Sequence, residues 1–425
     1  MTSTDDPVTS PHLHRWTDRT VIGVAIASFC AGFGQFGVVA ALGSVARTFG
    51  HVVHGATLAD QAGLSGTKLG VGLAIIRLAS LGALAATGLA DRTGRRRALV
   101  SSVAVGLALT VLAAGSPGYW WFVVIFACGR PLLSATGAVA QVIAAEQTDS
   151  ASRAKALALV AAGYGIGAGV IAIVHSLASS ALGFRAFFAL ALIPLALVPL
   201  IARWVVEPDR FNIAHAVDRP VTPVIGAVAR PYRRNLGVVA ALSFAMSFVT
   251  GPANSFVFLY AQDVKHLSGA VTATMVVGAG VTGLTGLLIG RWMSDRVGRR
   301  VTGALGMVGL GVCGVVAYSG PAWALVVGYT LGIMAGSIFA PAGGALINEL
   351  FPTAVRASAS GWALASGVLG AVAGLVTFGA VADVGNRFAS AAQLAFIPAT
   401  LVVVLYAFIP ETRGRELEDL WPSHP

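Results

Sequence analysis

The chain has 425 residues, of which 56% are hydrophobic and 11% charged, with a net charge of +10 and a mean hydropathy of +0.80. Soluble proteins carry roughly 25% charged residues, so this composition excludes both a disordered chain and a string of soluble domains, which would lack the polar surface to coat them. A polytopic membrane protein is left, and its basic residues do not signal nucleic acid because they sit in short loops between apolar runs.

Residues 1–20 form a polar tail in which nothing resembles the apolar core and cleavage site of a secretory signal. Apolar stretches follow at 21–45, 67–89, 98–115, 119–145, 155–178 and 184–205. After a basic segment at 206–235 they resume at 236–262, 268–290, 301–319, 322–348, 357–380 and 388–409, and a tail at 410–425 ends the sequence. Each stretch approaches or exceeds the about 20 residues that a bilayer-crossing helix needs, and none alternates as barrel strands would. Helices satisfy their own backbone in lipid. The expected fold is therefore an all-α polytopic membrane protein of 12 transmembrane helices, in two six-helix bundles at 21–205 and 236–409. Cys30, Cys128 and Cys313 all lie inside apolar runs and read as packing residues, not as a disulfide framework.

With both tails and the even-to-odd loops on one side, that side holds 21 Lys and Arg against 5 on the other, and Arg77 and Arg130 fall mid-span. The positive-inside rule then predicts cytoplasmic termini and a cytoplasmic linker at 206–235 in the cell membrane.

The halves repeat. Asp91-Arg92-Thr93-Gly94-Arg95-Arg96 recurs as Asp295-Arg296-Val297-Gly298-Arg299-Arg300, 204 residues on. Glu146 and Arg153 recur as Glu349 and Arg356, and Glu207 recurs as Glu411. Three landmarks in one order at nearly constant offset imply a duplicated six-helix unit with parallel halves. Gly94 and Gly298 allow the left-handed turn that so short a loop requires. Asp91 and Asp295 can face a neighbouring helix N-terminus or an arginine, a contact worth up to ~2 kcal/mol when partly buried, and so act as latches. A plain anchor loop would explain the arginines but not the recurrence. Glu146 with Arg153 and Glu349 with Arg356 form either an ion-pair network linking the halves or solvated pairs of little worth.

These doubled loops, the Glu349-to-Arg356 segment, Gly129-Arg130 and Pro410-Glu411-Thr412-Arg413-Gly414 resemble the major facilitator superfamily over residues 20–417. The motifs lean toward its sugar-porter and metabolite–proton symporter branches. The resemblance implies two bundles rocking about a midplane cavity, with Asp91, Arg92, Gly94, Arg95, Glu146, Arg153, Asp295, Arg296, Gly298, Arg299, Glu349 and Arg356 as gate and latch residues. The departures are informative too. Thr87 and Arg291 stand where the family loop has Gly. Gln35 stands where proton-coupled members carry Asp. Gly344 and Ala161 replace a sugar-stacking Trp and a Gln, which points away from a sugar.

Arg77 lies 14 residues before Asp91 and Arg130 lies 16 before Glu146, about 21 and 24 Å of helix. A charge at the centre of a membrane helix costs at least ~2.5–3.5 kcal/mol and normally faces a cavity or a partner. The spans as drawn hold no acid at that depth, so the expected counter-ion is the substrate, a small carboxylate or other organic anion clamped by guanidinium forks. Arg130 has a structural reading as well, bonded to carbonyls and to Gln35. Gln35, Gln141, Asn254 and Tyr260 are further substrate-binding candidates, each also explicable as a helix-to-helix hydrogen bond. His175 is the candidate for proton coupling.

The function expected is a secondary transporter of a small organic solute, driven by a gradient and proton-linked, working as a monomer in the bilayer. A drug or metabolite efflux antiporter of the same fold, or a non-transporting membrane sensor, is the alternative. No enzyme, cofactor, metal or nucleic-acid motif is read in the chain.

Overall fold

A computed structural model describes residues 15–53, 57–178, 181–207, 232–384 and 387–414, apart from a few side chains that include Asp91 and Arg92. Most of the 206–235 linker lies outside the described residues. Among those described, twelve helices are long and apolar enough to cross a membrane. They are α1 (Arg19–Ala40), α2 (Gly66–Ala90), α3 (Arg95–Ala113), α4 (Tyr119–Gln147), α5 (Ser150–Ala178) and α6 (Phe184–Trp204). The second half holds α7 (Arg233–Val264), α8 (Gly269–Arg296), α9 (Arg299–Ser319), α10 (Ala322–Glu349), α11 (Thr353–Asp383) and α12 (Phe388–Phe408). Each coincides with an expected apolar stretch to within a few residues. The exception is the first stretch, where α1 stops at Ala40 and the chain continues as a separate short helix, Leu42–Phe49.

Local sequence sets the helix starts in the same way in both halves. Ser65 caps α2 through Lys68 N–H at 3.2 Å, and Ser268 caps α8 through Val271 N–H at 3.4 Å. Each cap supplies an acceptor to a backbone donor that the helix itself leaves orphaned. Trp120 and Trp121 at the start of α4, and Trp323 at the start of α10, are exposed, as ring systems at a membrane interface are.

Packing repeats as well. Helix α1 lies on α5 as α7 lies on α11, and α3 lies on α4 as α9 lies on α10. Between the bundles α2 packs on α11 and α5 on α8, a pair of contacts that exchange under the pseudo-twofold. Calling the face with Arg15 and Gly414 terminal and its opposite distal, the bundles meet closely on the distal side. A Cβ on Gly66 would stand 2.5 Å from the Gly379 carbonyl oxygen, so the two backbones touch there. Small residues permit that approach, which dispersion and weak polar contacts then stabilise.

Candidate functional site

The cavity between the bundles has two parts joined at Arg77. The deeper part, about 190 Å³, is lined among others by Gln35 and Phe36 of α1, Arg77 of α2, Arg130 of α4, Tyr164 of α5, and Thr250, Asn254 and Ser255 of α7. The second part, about 350 Å³, runs from Arg77 along the terminal halves of α7, α10 and α11, past Ser243, Ser247, Gly343 and Ser360. Among the described residues, neither part is lined by an aspartate or glutamate.

Four of the expected binding residues thus converge: Arg77, Arg130, Gln35 and Asn254. Arg130 donates through Nη1 to the Gln35 backbone carbonyl at 3.4 Å, so part of its guanidinium is spent on packing. The Nε atoms of both arginines are buried without a hydrogen-bond partner among the described residues. A buried donor left unmet costs about 1–3 kcal/mol, and more when charged. Both arginines line the same hollow.

Two candidates lie elsewhere. Gln141 is exposed on α4 away from the lining residues. Tyr260 is buried near the distal end of α7, where its hydroxyl donates to the Tyr318 carbonyl at 3.0 Å and its ring packs on Phe388 at 4.6 Å. Tyr164, Thr250, Ser255 and Phe36 enter the wall without having been singled out. Among Gly163, Gly165 and Gly167, Tyr164 is the one aromatic and polar side chain, and that contrast was the available signal. His175 is buried at the distal end of α5, with Nε2 2.9 Å from Ser44 Oγ and its ring edge-on to Phe187.

On the terminal face the repeated residues build two like clusters. Gly94 and Gly298 have φ of +103° and +125°, the region where only glycine is unstrained. Each turn presents the first N–H groups of the next helix to a glutamate. Glu207 accepts from Arg95 and Arg96 N–H at 2.5 and 3.0 Å, and Glu411 accepts from Arg299 and Arg300 N–H at 2.9 and 3.1 Å. Arg95 pairs with Glu146; Arg299 pairs with Glu349 at 3.3 Å and with Asp295 at 3.3 Å. Thr412 Oγ1 donates to Glu349. The expected network linking the halves is not what these pairs make: each stays within its own bundle. Nor do the acids pair with the arginines seven residues on. Arg356 Nε donates to the Phe351 carbonyl at 3.3 Å, and Arg153 Nε has no partner among the described residues. The side chains of Asp91 and Arg92 lie outside the described residues. For Arg296 the guanidinium stands 5.6 Å from the Trp292 ring.

A twelve-helix, two-bundle membrane fold around a central cavity is an architecture that secondary transporters use. The family model described as Major Facilitator Superfamily matches residues 24–315, and the one described as Sugar (and other) transporter matches 219–422. The chain belongs to the major facilitator superfamily; it is a transporter and not an enzyme. Similar proteins include the probable 4-methylmuconolactone transporter of Cupriavidus pinatubonensis, 26% identical, covering 84% of this chain and 85% of that one. The gentisate transporter of Corynebacterium glutamicum is 28% identical over 74% and 73% of the two chains. The cis,cis-muconate transport protein of Acinetobacter baylyi is 24% identical over 70% and 74%. Among solved structures, the inward-open xylose transporter XylE from E. coli superposes with a TM-score of 0.74 at 18% identity, covering 94% of this chain and 98% of that one.

Proposed function

We propose that the protein carries a small organic acid, as its carboxylate anion, across the cell membrane by proton-linked alternating access. The terminal, arginine-rich face is taken as cytoplasmic. The observation that carries this reading is the pair of half-buried guanidiniums, Arg77 and Arg130, whose buried Nε donors lack partners in a cavity where no acid lines the wall among the described residues. A carboxylate supplies both the charge and the planar pair of acceptors that a guanidinium fork matches. Gln35, Asn254 and Thr250 offer neutral donors and acceptors around it, and Tyr164 and Phe36 offer ring faces and edges. That muconate and gentisate, named for two similar proteins, are carboxylates supports the same class. The residues of the terminal clusters, Arg95, Glu146, Arg299 and Glu349 foremost, act in this reading as braces and gates of each bundle.

Thermal-shift measurements of the purified protein against aromatic carboxylates, aliphatic dicarboxylates, sugars and lipophilic cations test the class, because a ligand of the folded state raises its melting temperature. Carboxylates should stabilise, and Arg77→Ala should lose both that response and uptake while remaining monodisperse. Stabilisation by sugars or lipophilic cations alone, or unchanged carboxylate uptake in Arg77→Ala, would overturn the reading.

A further inference from the structure

In the sequence the apolar run that begins α7's span, 236–262, contains no acid and stops one residue short of Asp263. The structure carries α7 further, through a π-helical turn, Tyr260–Val264, and this turn takes Asp263 into the protein, where its side chain is only 3% exposed. Its Oδ1 accepts from Arg47 Nη1, which reaches over from the short helix Leu42–Phe49 of the other half. The other oxygen, Oδ2, is buried with no hydrogen-bond partner among the described residues. Room for the carboxylate exists because residue 43 is glycine: a Cβ there would coincide with it. A half-met carboxylate held between two moving bodies, against one cation, is a place where a proton changes the balance between them.

We propose that Asp263 is a proton-binding site and that its protonation opens the distal face. The proton adds to the carboxylate, the neutral acid no longer holds Arg47, and the arginine, 40% exposed, turns to water as the bundles part. Protonation favours opening because only the closed state sets a cation against this group. Among the described residues, the surroundings supply no substitute. On the helix Leu58–Ala62 the one charge is Asp60, whose carboxylate accepts from Thr57 N–H in a capping box. The first turns of α8, from Gly269 to Thr272, hold no ionisable group. Lys265, on the same segment as Asp263, donates to the Gly320 carbonyl at 3.1 Å and lies over the Tyr260 ring. Neighbouring His266 is outside the turn, and His175 of α5 is bonded to Ser44, three residues before Arg47. A second cross-bundle carboxylate, Asp383 of α11, takes neutral donors only, Gly66 N–H and Thr67 Oγ1, both at 3.0 Å.

The inference rests on the alternating-access part of the functional reading but not on the anion, so its test contains no solute. In a protein with Cys30, Cys128 and Cys313 replaced by alanine, spin labels at Val52→Cys and Val384→Cys, both exposed on the distal side of opposite halves, report the separation of the bundles in nanodiscs. Between pH 8 and pH 4 the ratio of open to closed distances should rise, by up to about tenfold per pH unit for one proton. Asp263→Asn should be open and indifferent to pH, Asp263→Glu should restore the pH response, and Asp383→Asn, whose amide oxygen still accepts, should keep it. A distance distribution in the parent protein that does not move with pH would overturn the proposal without need of any variant at Asp263. So would an Asp263→Asn protein that still opens with acid.

Discussion

On the distal face the two bundles touch backbone to backbone, at Gly66 against Gly379 and at Gly269 against the Ser176 carbonyl. They are bridged there by Arg47 to Asp263 and by Asp383 to Gly66 and Thr67. On the terminal face the charges turn inward: Glu146 holds Arg95, Glu349 holds Arg299, and Glu207 and Glu411 hold the starts of α3 and α9. The terminal clusters are near-copies of one another, whereas the charged bridges of the distal face have no counterparts across the pseudo-twofold among the described residues. Among the described residues, the closest contacts between the halves in this structure are on the distal side, and in the proposed reading such contacts decide which way the cavity opens.

The largest effect should come from preventing that closure. In Gly66→Leu the new side chain meets the Gly379 backbone, which has no rotamer with which to yield. The closed state is expected to lose about 3 kcal/mol, the upper end of overpacking costs, or roughly 150-fold in population. Labels at Val52→Cys and Val384→Cys should report a separated distal face at neutral pH, and uptake should fall by about two orders of magnitude. A normal distance distribution in Gly66→Leu would show that the distal seam is not what sets the state.

The terminal clusters predict something smaller and symmetric. Glu146→Gln and Glu349→Gln each remove one partner of a partly buried pair inside one bundle, worth about 1–3 kcal/mol. Both should lower the melting temperature by similar amounts and leave the distal label distances unchanged. If either variant shifts those distances as Gly66→Leu does, the division between bracing and gating fails.

What could be read in the sequence follows the same division. The twelve spans, the duplication and the glycine turns were legible because each is local or recurs at a fixed offset, and periodicity and repetition are what a single chain displays. Arg77 and Arg130 stood out because charge is costly at that depth, and the structure brings them into one cavity. Asp263 was hidden for two reasons. It lies one residue beyond an apolar run, so it resembled a loop acid until the π-helical turn carried it inside. Its partner, Arg47, is 216 residues away in the other half, and no repeat connects the two. Glu207 and Glu411 were visible as landmarks of the repeat, but their task, accepting from the first N–H groups of α3 and α9 more than a hundred residues earlier, depends on where α6 and α12 end in space.

That task sets the smallest expected effect. Burial pushes the Glu411 carboxyl up, but N–H donors of Arg299, Arg300, Arg413 and Thr412 outweigh it and hold it below the usual glutamate range. A group whose value is depressed by folding stabilises the protein above its unfolded value of about 4.3, and that contribution is lost as pH falls through the folded value. Glu411→Gln leaves an amide whose NH2 cannot accept, so one of the α9 donors goes unmet, at about 1 kcal/mol, the typical worth of such a cap. The melting temperature at pH 7 should drop by a few degrees. Below about pH 4.3 the parent protein should descend toward the variant, so that the two curves converge in acid. Glu207→Gln should lower the melting temperature at pH 7 by a similar amount, since Glu207 accepts from Arg95 and Arg96 N–H in the matching geometry. A Glu411 curve that runs parallel to the parent's through acid would mean the carboxylate's charge adds nothing beyond its shape. The terminal clusters would then be held by packing alone.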